Sequence, residues 1–237
     1  MAASQNYIIF GGSRGIGETL VAMLCAKSAH VSFSSREDGD QPVPDGARRF
    51  AFDAARGEVP REAIPAELAG LVYCPGTITL RPFQRLTCDD FLTELQTNLL
   101  GAVGAIQACL PALKKAPSAA IVLFSTVAVQ TGMPFHSSIA SAKGAVEGLT
   151  RALAAEFAPR IRVNAIAPSL VDTRLSADLL SSDQKRQAAA ERHPLRRIGT
   201  PRDVAGLALY LLGEEAGWIT GQIFHVDGGM GALKTFR

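Results

Sequence analysis

The 237-residue chain is short of charge imbalance, of cysteine and of long apolar runs, and each shortage narrows what it can be. A formal net charge of +2, with no run of five basic residues, argues against nucleic acid or an anionic membrane as partner. No apolar stretch approaches the roughly 18 residues of a membrane span. The one early apolar run, Tyr7 to Phe10, is brief and has no basic residue before it, so no secretion signal is expected. Cys25, Cys74, Cys88 and Cys109 form no C-x-x-C pair and have no histidines at ligand spacing. They read as reduced core thiols of a cytoplasmic protein, with no metal site. Repeats, linkers and low-complexity tracts are missing too, so a single domain, 1–237, is expected. What is plentiful is apolar side chain, 47% against 19% charged, enough for a sizeable core.

The chain turns on one stretch, GGSRGIG at Gly11 to Gly17. Before it, Tyr7-Ile8-Ile9-Phe10 reads as a buried strand. After it, Leu20, Val21, Leu24 and Cys25 recur at helical spacing. A strand, a glycine-rich turn and a helix make a cradle for a diphosphate, because the turn leaves no room for a Cβ and the helix aims free N–H groups at the anion. A flexible turn is the bland alternative, and the flanking strand and helix argue against it.

Apolar strands then alternate with helical patterns to the end, which predicts a parallel sheet covered on both faces. Strands are expected at Val31 to Ser34, Arg49 to Phe52, Leu71 to Cys74, Ile121 to Phe124, Arg162 to Ile166 and Gln222 to Val226. Helices are expected at Asp89 to Leu113, Ser138 to Phe157 and Pro201 to Leu212, and an irregular loop at Arg36 to Arg48. The fold class is α/β, a Rossmann-type doubly wound parallel sheet of about seven strands.

The end of the second strand decides the cofactor. An acidic residue there would bind the adenosine ribose hydroxyls and repel a 2′-phosphate. The sequence has Ser34-Ser35-Arg36, with no carboxylate until Glu37, and Arg14 lies in the glycine loop. Two arginines with adjacent hydroxyls suit a dianionic phosphate, so NADP(H) is favoured over NAD(H). The competing reading is two solvated arginines.

These residues resemble the short-chain dehydrogenase/reductases, most of all the 3-oxoacyl-carrier-protein reductase branch. The resemblance runs nearly the full length. It is carried by GGSRGIG, Asp53 after the third strand, YCPG where the family usually has NNAG, Asn98 in TNLLGAV and Ser125-Thr126 after the fifth strand. Lys143 in SIASAKGAVEGL, IRVNAIAPSLVDT and ITGQIFHVDGG complete it. It implies that Gly11, Ser13, Arg14, Gly15, Ile16, Gly17, Ser35, Arg36, Asp53, Gly76, Lys143, Pro168 and Thr173 hold the cofactor. In that family an asparagine, a serine, a tyrosine and a lysine carry the chemistry, the tyrosine protonating the carbonyl oxygen. Asn98 and Lys143 match, and Thr126 falls in the serine position with Ser125 beside it. The tyrosine position, four residues before Lys143, holds Ile139, and no tyrosine occurs between Tyr73 and Tyr210.

A positioned general acid is worth about 10²–10⁴-fold in rate, or roughly 3–5 kcal/mol of barrier. His136, Ser138 and Tyr73 are conceivable substitutes, against bland readings as a loop residue, a helix cap and a packing residue. A desolvated Lys143 could itself titrate near neutrality and act. Asn98, a poor helix former inside an apolar helix, reads as kept for structure or for holding a water.

The segment Leu170 to Pro194 corresponds to a substrate lid in relatives, and its leucines and alanines suggest an apolar carbonyl or acyl substrate. Lys185, Arg186, Arg192, Arg196 and Arg197 could meet an acyl carrier, but read more simply as solvated. The two long helices are apolar on more than one face, and in the family they form a subunit interface, so a homodimer or homotetramer is expected. The reading is an NADP(H)-dependent oxidoreductase with a non-standard proton donor. A non-catalytic cofactor-binding protein, or another reaction on the same scaffold, stands as the alternative.

Overall fold

A computed structural model describes residues 5–36, 42–56 and 58–234. Glu37 and the adjoining part of the expected 36–48 loop lie outside the described residues. Seven strands form one sheet: β1 (Asn6–Phe10), β2 (His30–Ser35), β3 (Ala47–Ala51), β4 (Gly70–Tyr73), β5 (Ala119–Phe124), β6 (Ile161–Pro168) and β7 (Ile223–Val226). Their order is β3-β2-β1-β4-β5-β6-β7, and every pairing is parallel. The order reverses between β1 and β4, which opens a crevice at the carboxyl ends of the strands. This is the doubly wound α/β fold that the alternating pattern predicts.

The central strands are apolar throughout because both their faces are covered; all six residues of β5, AAIVLF, are buried. Alternate side chains go to two separate cores. Ile8, Phe10, Leu71, Tyr73, Ile121 and Leu123 pack with α3 (Gly101–Leu113) and α5 (Ser137–Phe157) on one face. Ile9, Val72, Val122 and Phe124 pack with α1 (Gly15–Cys25) and α7 (Pro201–Leu212) on the other.

Several boundaries differ from the sequence reading. β3 starts at Ala47, inside the expected loop, because it pairs with β2 from Val31↔Ala47 onward. The expected helix Asp89–Leu113 starts at Cys88 and is not regular. It comprises α2 (Cys88–Leu95), a π turn over Gln96–Leu100, and α3. Thr87 caps α2: its Oγ1 accepts from Asp90 N–H, and the Asp90 carboxylate accepts from Thr87 N–H. A short helix α4 (Ala128–Thr131) follows β5, and α6 (Asp183–Arg192) lies in the expected lid, preceded by a 3₁₀ segment, Arg174–Leu180. The cysteines are not uniformly core thiols. Cys109 is buried, Cys25 and Cys74 are half-buried, and Cys88 is exposed because it opens the first turn of α2. Among the described residues no helix is long and apolar enough to cross a membrane, and no cluster of potential metal ligands occurs.

Candidate active site

A cleft of about 810 Å³ runs along the carboxyl ends of the strands. It receives every cofactor-side residue singled out above, from Gly11 through Asp53 and Gly76 to Pro168 and Thr173, together with Asn98, Ser125, Thr126, His136, Ile139 and Lys143.

At its first end the glycine loop is tied to β2, with Gly11 N–H donating to Ser34 Oγ (2.8 Å) and Gly12 N–H to the Ser34 carbonyl (3.0 Å). Gly15 has φ +59°, strained for any side chain, and a Cβ on Gly17 would run into the Gly11 carbonyl oxygen. The cradle therefore exists only with glycine at these positions, and it opens at the N-terminus of α1, where no side chain caps the free N–H groups. Exposed Arg14 and Arg36 flank it, with buried Ser35 beside them. Arg49, not foreseen as a site residue, also lines the cleft, its guanidinium carbon 5.5 Å from the Phe33 ring centroid. The β2–β3 register, which sets Phe33 opposite Arg49, brings them together. Asp53 accepts from Ala55 N–H at 3.0 Å, and its side chain stays half exposed.

At the other end, Lys143 is 8% exposed and donates to the Phe124 carbonyl at 2.9 Å. Burial pulls its ammonium down to about 8, while the negative charge of Glu94 pulls the other way. Ile139 sits one turn earlier on the same face of α5, 3% exposed, and makes that wall apolar. Asn98 lies in the π turn, buried, with Nδ2 donating to the Glu94 backbone carbonyl (3.0 Å), to Glu94 Oε2 (2.8 Å) and to Thr77 Oγ1 (3.1 Å). Cys74, at the end of β4, has its thiol pushed up to about 12 by burial.

The hydroxyls and candidate acids differ in what they can do. Ser125 lines the cleft, but its Oγ donates to Glu147 Oε1 at 2.8 Å. Thr126 Oγ1 accepts from Ala128 N–H at 3.3 Å, at the start of α4. His136 borders the cleft with Nδ1 2.7 Å from the Pro134 carbonyl. Ser138 is buried, with Oγ 3.4 Å from the Thr79 carbonyl, and does not line the cleft. Tyr73 is removed as a proton donor. It is 2% exposed, its hydroxyl donates to the Thr97 carbonyl at 2.7 Å, and burial raises its pKa.

Leu170, Leu175 and Leu179 give this side of the cleft an apolar lining. The basic residues expected to be solvated are partly engaged. Arg186 grips Asp172 (2.8 and 3.1 Å), Arg197 grips Asp203 (2.7 and 2.8 Å), and Lys185 donates to the Asp178 carbonyl. Two buried site neighbours escaped the sequence reading. His193 holds Ser169 Oγ through Nε2 at 2.9 Å. Glu94 was passed over because an acidic residue in a helix ordinarily reads as surface, although its spacing of four from Asn98 put it on the same face.

The sequence matches the family described as enoyl-(acyl carrier protein) reductase over residues 11–231. The chain belongs to the short-chain dehydrogenase/reductase family. It is 34% identical over 243 aligned residues to a tropinone reductase homologue of Arabidopsis thaliana, covering 95% of this chain and 92% of that one. It is 30% identical to a 3-oxoacyl-(acyl-carrier-protein) reductase of Staphylococcus epidermidis, covering 96% and 99%. The solved structure of ElxO with NADP bound superposes with a TM-score of 0.88 at 27% identity, covering 97% of this chain and all of that one. The fold and the broad class, a family of oxidoreductases, are therefore those of these relatives.

Proposed function

We propose that this short-chain dehydrogenase/reductase is an NADP(H)-dependent oxidoreductase acting on an apolar carbonyl or alcohol, with no tyrosine at the proton-donor position. One observation carries the reading: a single cleft joins the glycine cradle and its arginines to the Asn98–Lys143 pair. The residues fit the cofactor, since the cradle that a Cβ would fill is kept open at Gly15 and Gly17. When bound, the nicotinamide would supply or accept hydride. The glycine loop and the α1 N-terminus would hold the diphosphate, and Arg14, Arg36 and Ser35 a 2′-phosphate. Asp53 would border the adenosine, and Gly76, Lys143, Pro168 and Thr173 the nicotinamide half. Thr126 would orient the carbonyl, and the apolar wall of Ile139, Leu170, Leu175 and Leu179 would exclude water from it. ElxO, which is similar at 27% identity, is a relative with NADP bound, in keeping with this assignment. The exposed side of α5 supports a homodimer or homotetramer.

Calorimetric titration with NADPH and with NADH tests the reading. Binding of NADPH at least about tenfold tighter than NADH is expected, the worth of one charge-assisted contact. Failure of both to bind would overturn it. A second reading, a cofactor-binding protein without turnover, is favoured by Ile139 alone; NADPH binding without reduction of any ketone would select it.

A further inference from the structure

Glu94 is fully buried in α2, a place where a carboxylate needs a reason. Its Oε2 accepts from Thr77 Oγ1 and from Asn98 Nδ2, each at 2.8 Å, while its Oε1 has no hydrogen-bond partner in the protein. Asn98 Oδ1 is likewise buried and unpartnered. With both its amide hydrogens directed at Glu94 and Thr77, the Asn98 carbonyl oxygen is fixed on the opposite side. A Cβ placed on Gly76 would lie 3.0 Å from that oxygen and 3.7 Å from Lys143 Nζ, so the two atoms converge over the bare α-carbon of Gly76. The space that glycine leaves there has polar groups on two sides, as a bound water requires.

The other charges on the packed elements are engaged elsewhere. On α5, one turn past Lys143, Glu147 accepts from Ser125 and pairs with Arg151 at 3.5 Å. On α2, one turn before Glu94, Asp90 caps the helix and pairs with Arg81. Just past β4, the Cys74 thiol is held neutral by burial. Glu94 is thus the anion that answers Lys143.

We propose that the Glu94 carboxylate equips Lys143 to be the proton donor of this site. It does so by fixing the Asn98 amide so that Oδ1 faces the ammonium, and by keeping that ammonium charged although buried. The proposal rests on the oxidoreductase reading above. Once hydride has reached the carbonyl carbon, the oxygen holds the electron pair of the broken π bond. Lys143 gives that oxygen an N–H proton, directly or across one water that passes a proton on as it takes one. The alcohol leaves, and the neutral amine recovers its proton from solvent. Glu94 touches neither substrate nor cofactor and is a positioning residue.

The test uses full-length protein carrying ¹³Cε-labelled lysine, with the Lys143 signal assigned by its loss in Lys143→Arg. In the protein without nucleotide, the Lys143 midpoint is expected near 8, and in Glu94→Gln about one pH unit lower. NADPH consumption is then followed with acetoacetyl-coenzyme A, a soluble 3-oxoacyl thioester, and with tropinone, a bicyclic ketone. In Glu94→Gln, kcat should fall about threefold at pH 7.5 and about tenfold on the alkaline limb, with KM and NADPH affinity within about twofold. Glu94→Asp keeps the charge and should hold the midpoint near that of the unaltered protein and restore kcat. If Glu94→Gln does not fold, as read from its melting curve, Glu94→Asp against the unaltered protein decides instead. Turnover with an unshifted midpoint, an unshifted alkaline limb, or an equal shift in Glu94→Asp would overturn the role of Glu94 alone. If the unaltered protein binds no NADPH or reduces neither ketone, the oxidoreductase reading falls and the donor role with it.

Discussion

At the scale of single residues, the site combines a loss and a gain. Ile139 makes the wall facing the cleft apolar where the resemblance expects a tyrosine, and Glu94 puts a charge at the one buried position of α2. Restoring a phenol tests the wall directly. Ile139 borders open space in the cleft, so a tyrosine ring there can extend into it rather than into the core. Ile139→Tyr is expected to raise ketone reduction roughly tenfold or more, measured as kcat with NADPH at pH 7. Absence of any gain would mean that the carbonyl does not lie against that wall. Neither residue's role was fully legible in the sequence. The isoleucine could be read because Lys143 fixes its position four residues away. The glutamate could not, because its meaning depends on Thr77 and Lys143, which the fold brings in from 17 residues earlier and 49 residues later.

At the scale of elements, the strands and helices follow from apolar periodicity, and the departures have local causes. The start of β3 inside a loop-like, polar stretch is set by its partner β2, which no local pattern encodes. The π turn at Gln96–Leu100 is not announced by composition either, since weak helix formers such as Thr97 and Asn98 also occur in regular helix. α5 shows the opposite case, a pattern that outruns the fold. Its buried side meets β6 and α2, yet Ser141, Ala145, Gly148, Ala152 and Ala155 make a further stripe of small residues on the other side. Nothing lies within 4 Å of a Cβ built on Gly148. A stripe of that kind lets a second copy approach closely. Sedimentation velocity is expected to give the mass of a dimer or tetramer. Gly148→Arg, which improves helix propensity by about 1 kcal/mol, should yield a folded monomer. A monomer before the substitution would refute the interface.

At the scale of the whole molecule, Lys143 opposes stability in order to serve the site. Its ammonium titrates near 8 when folded, against about 10.4 in an unfolded chain. Between those values the unfolded state binds more protons, so the contribution improves as pH rises from 8 to 10.4, and below 8 the full penalty applies. That penalty is about 3 kcal/mol at pH 7, and the Phe124 carbonyl bond offsets about 1. Lys143→Met together with Glu94→Gln, which leaves neither charge buried alone, is therefore expected to raise Tm at pH 7 by a few degrees, at about 2–4 °C per kcal/mol. A fall in Tm at pH 7 would show that the lysine is better solvated than its surroundings indicate. The doubly wound sheet itself was readable from the alternation of apolar runs, because strands buried on both faces have no other way to be covered. The joining of both cleft ends was not, because it depends on the strand order reversing between β1 and β4.

The wide turn at Gln96–Leu100 gives one further consequence. A helix with such a turn holds one residue more than a regular helix of the same path, so the geometry depends on a count as well as on side chains. Deleting any one residue of the five would let the segment close into ordinary helix, with α2 and α3 kept in line and the wide turn lost. Asn98 would then leave Thr77 and Gly76, and Thr97 would leave the Tyr73 hydroxyl. No substitution at these positions does the same. The site is written partly in the length of the chain.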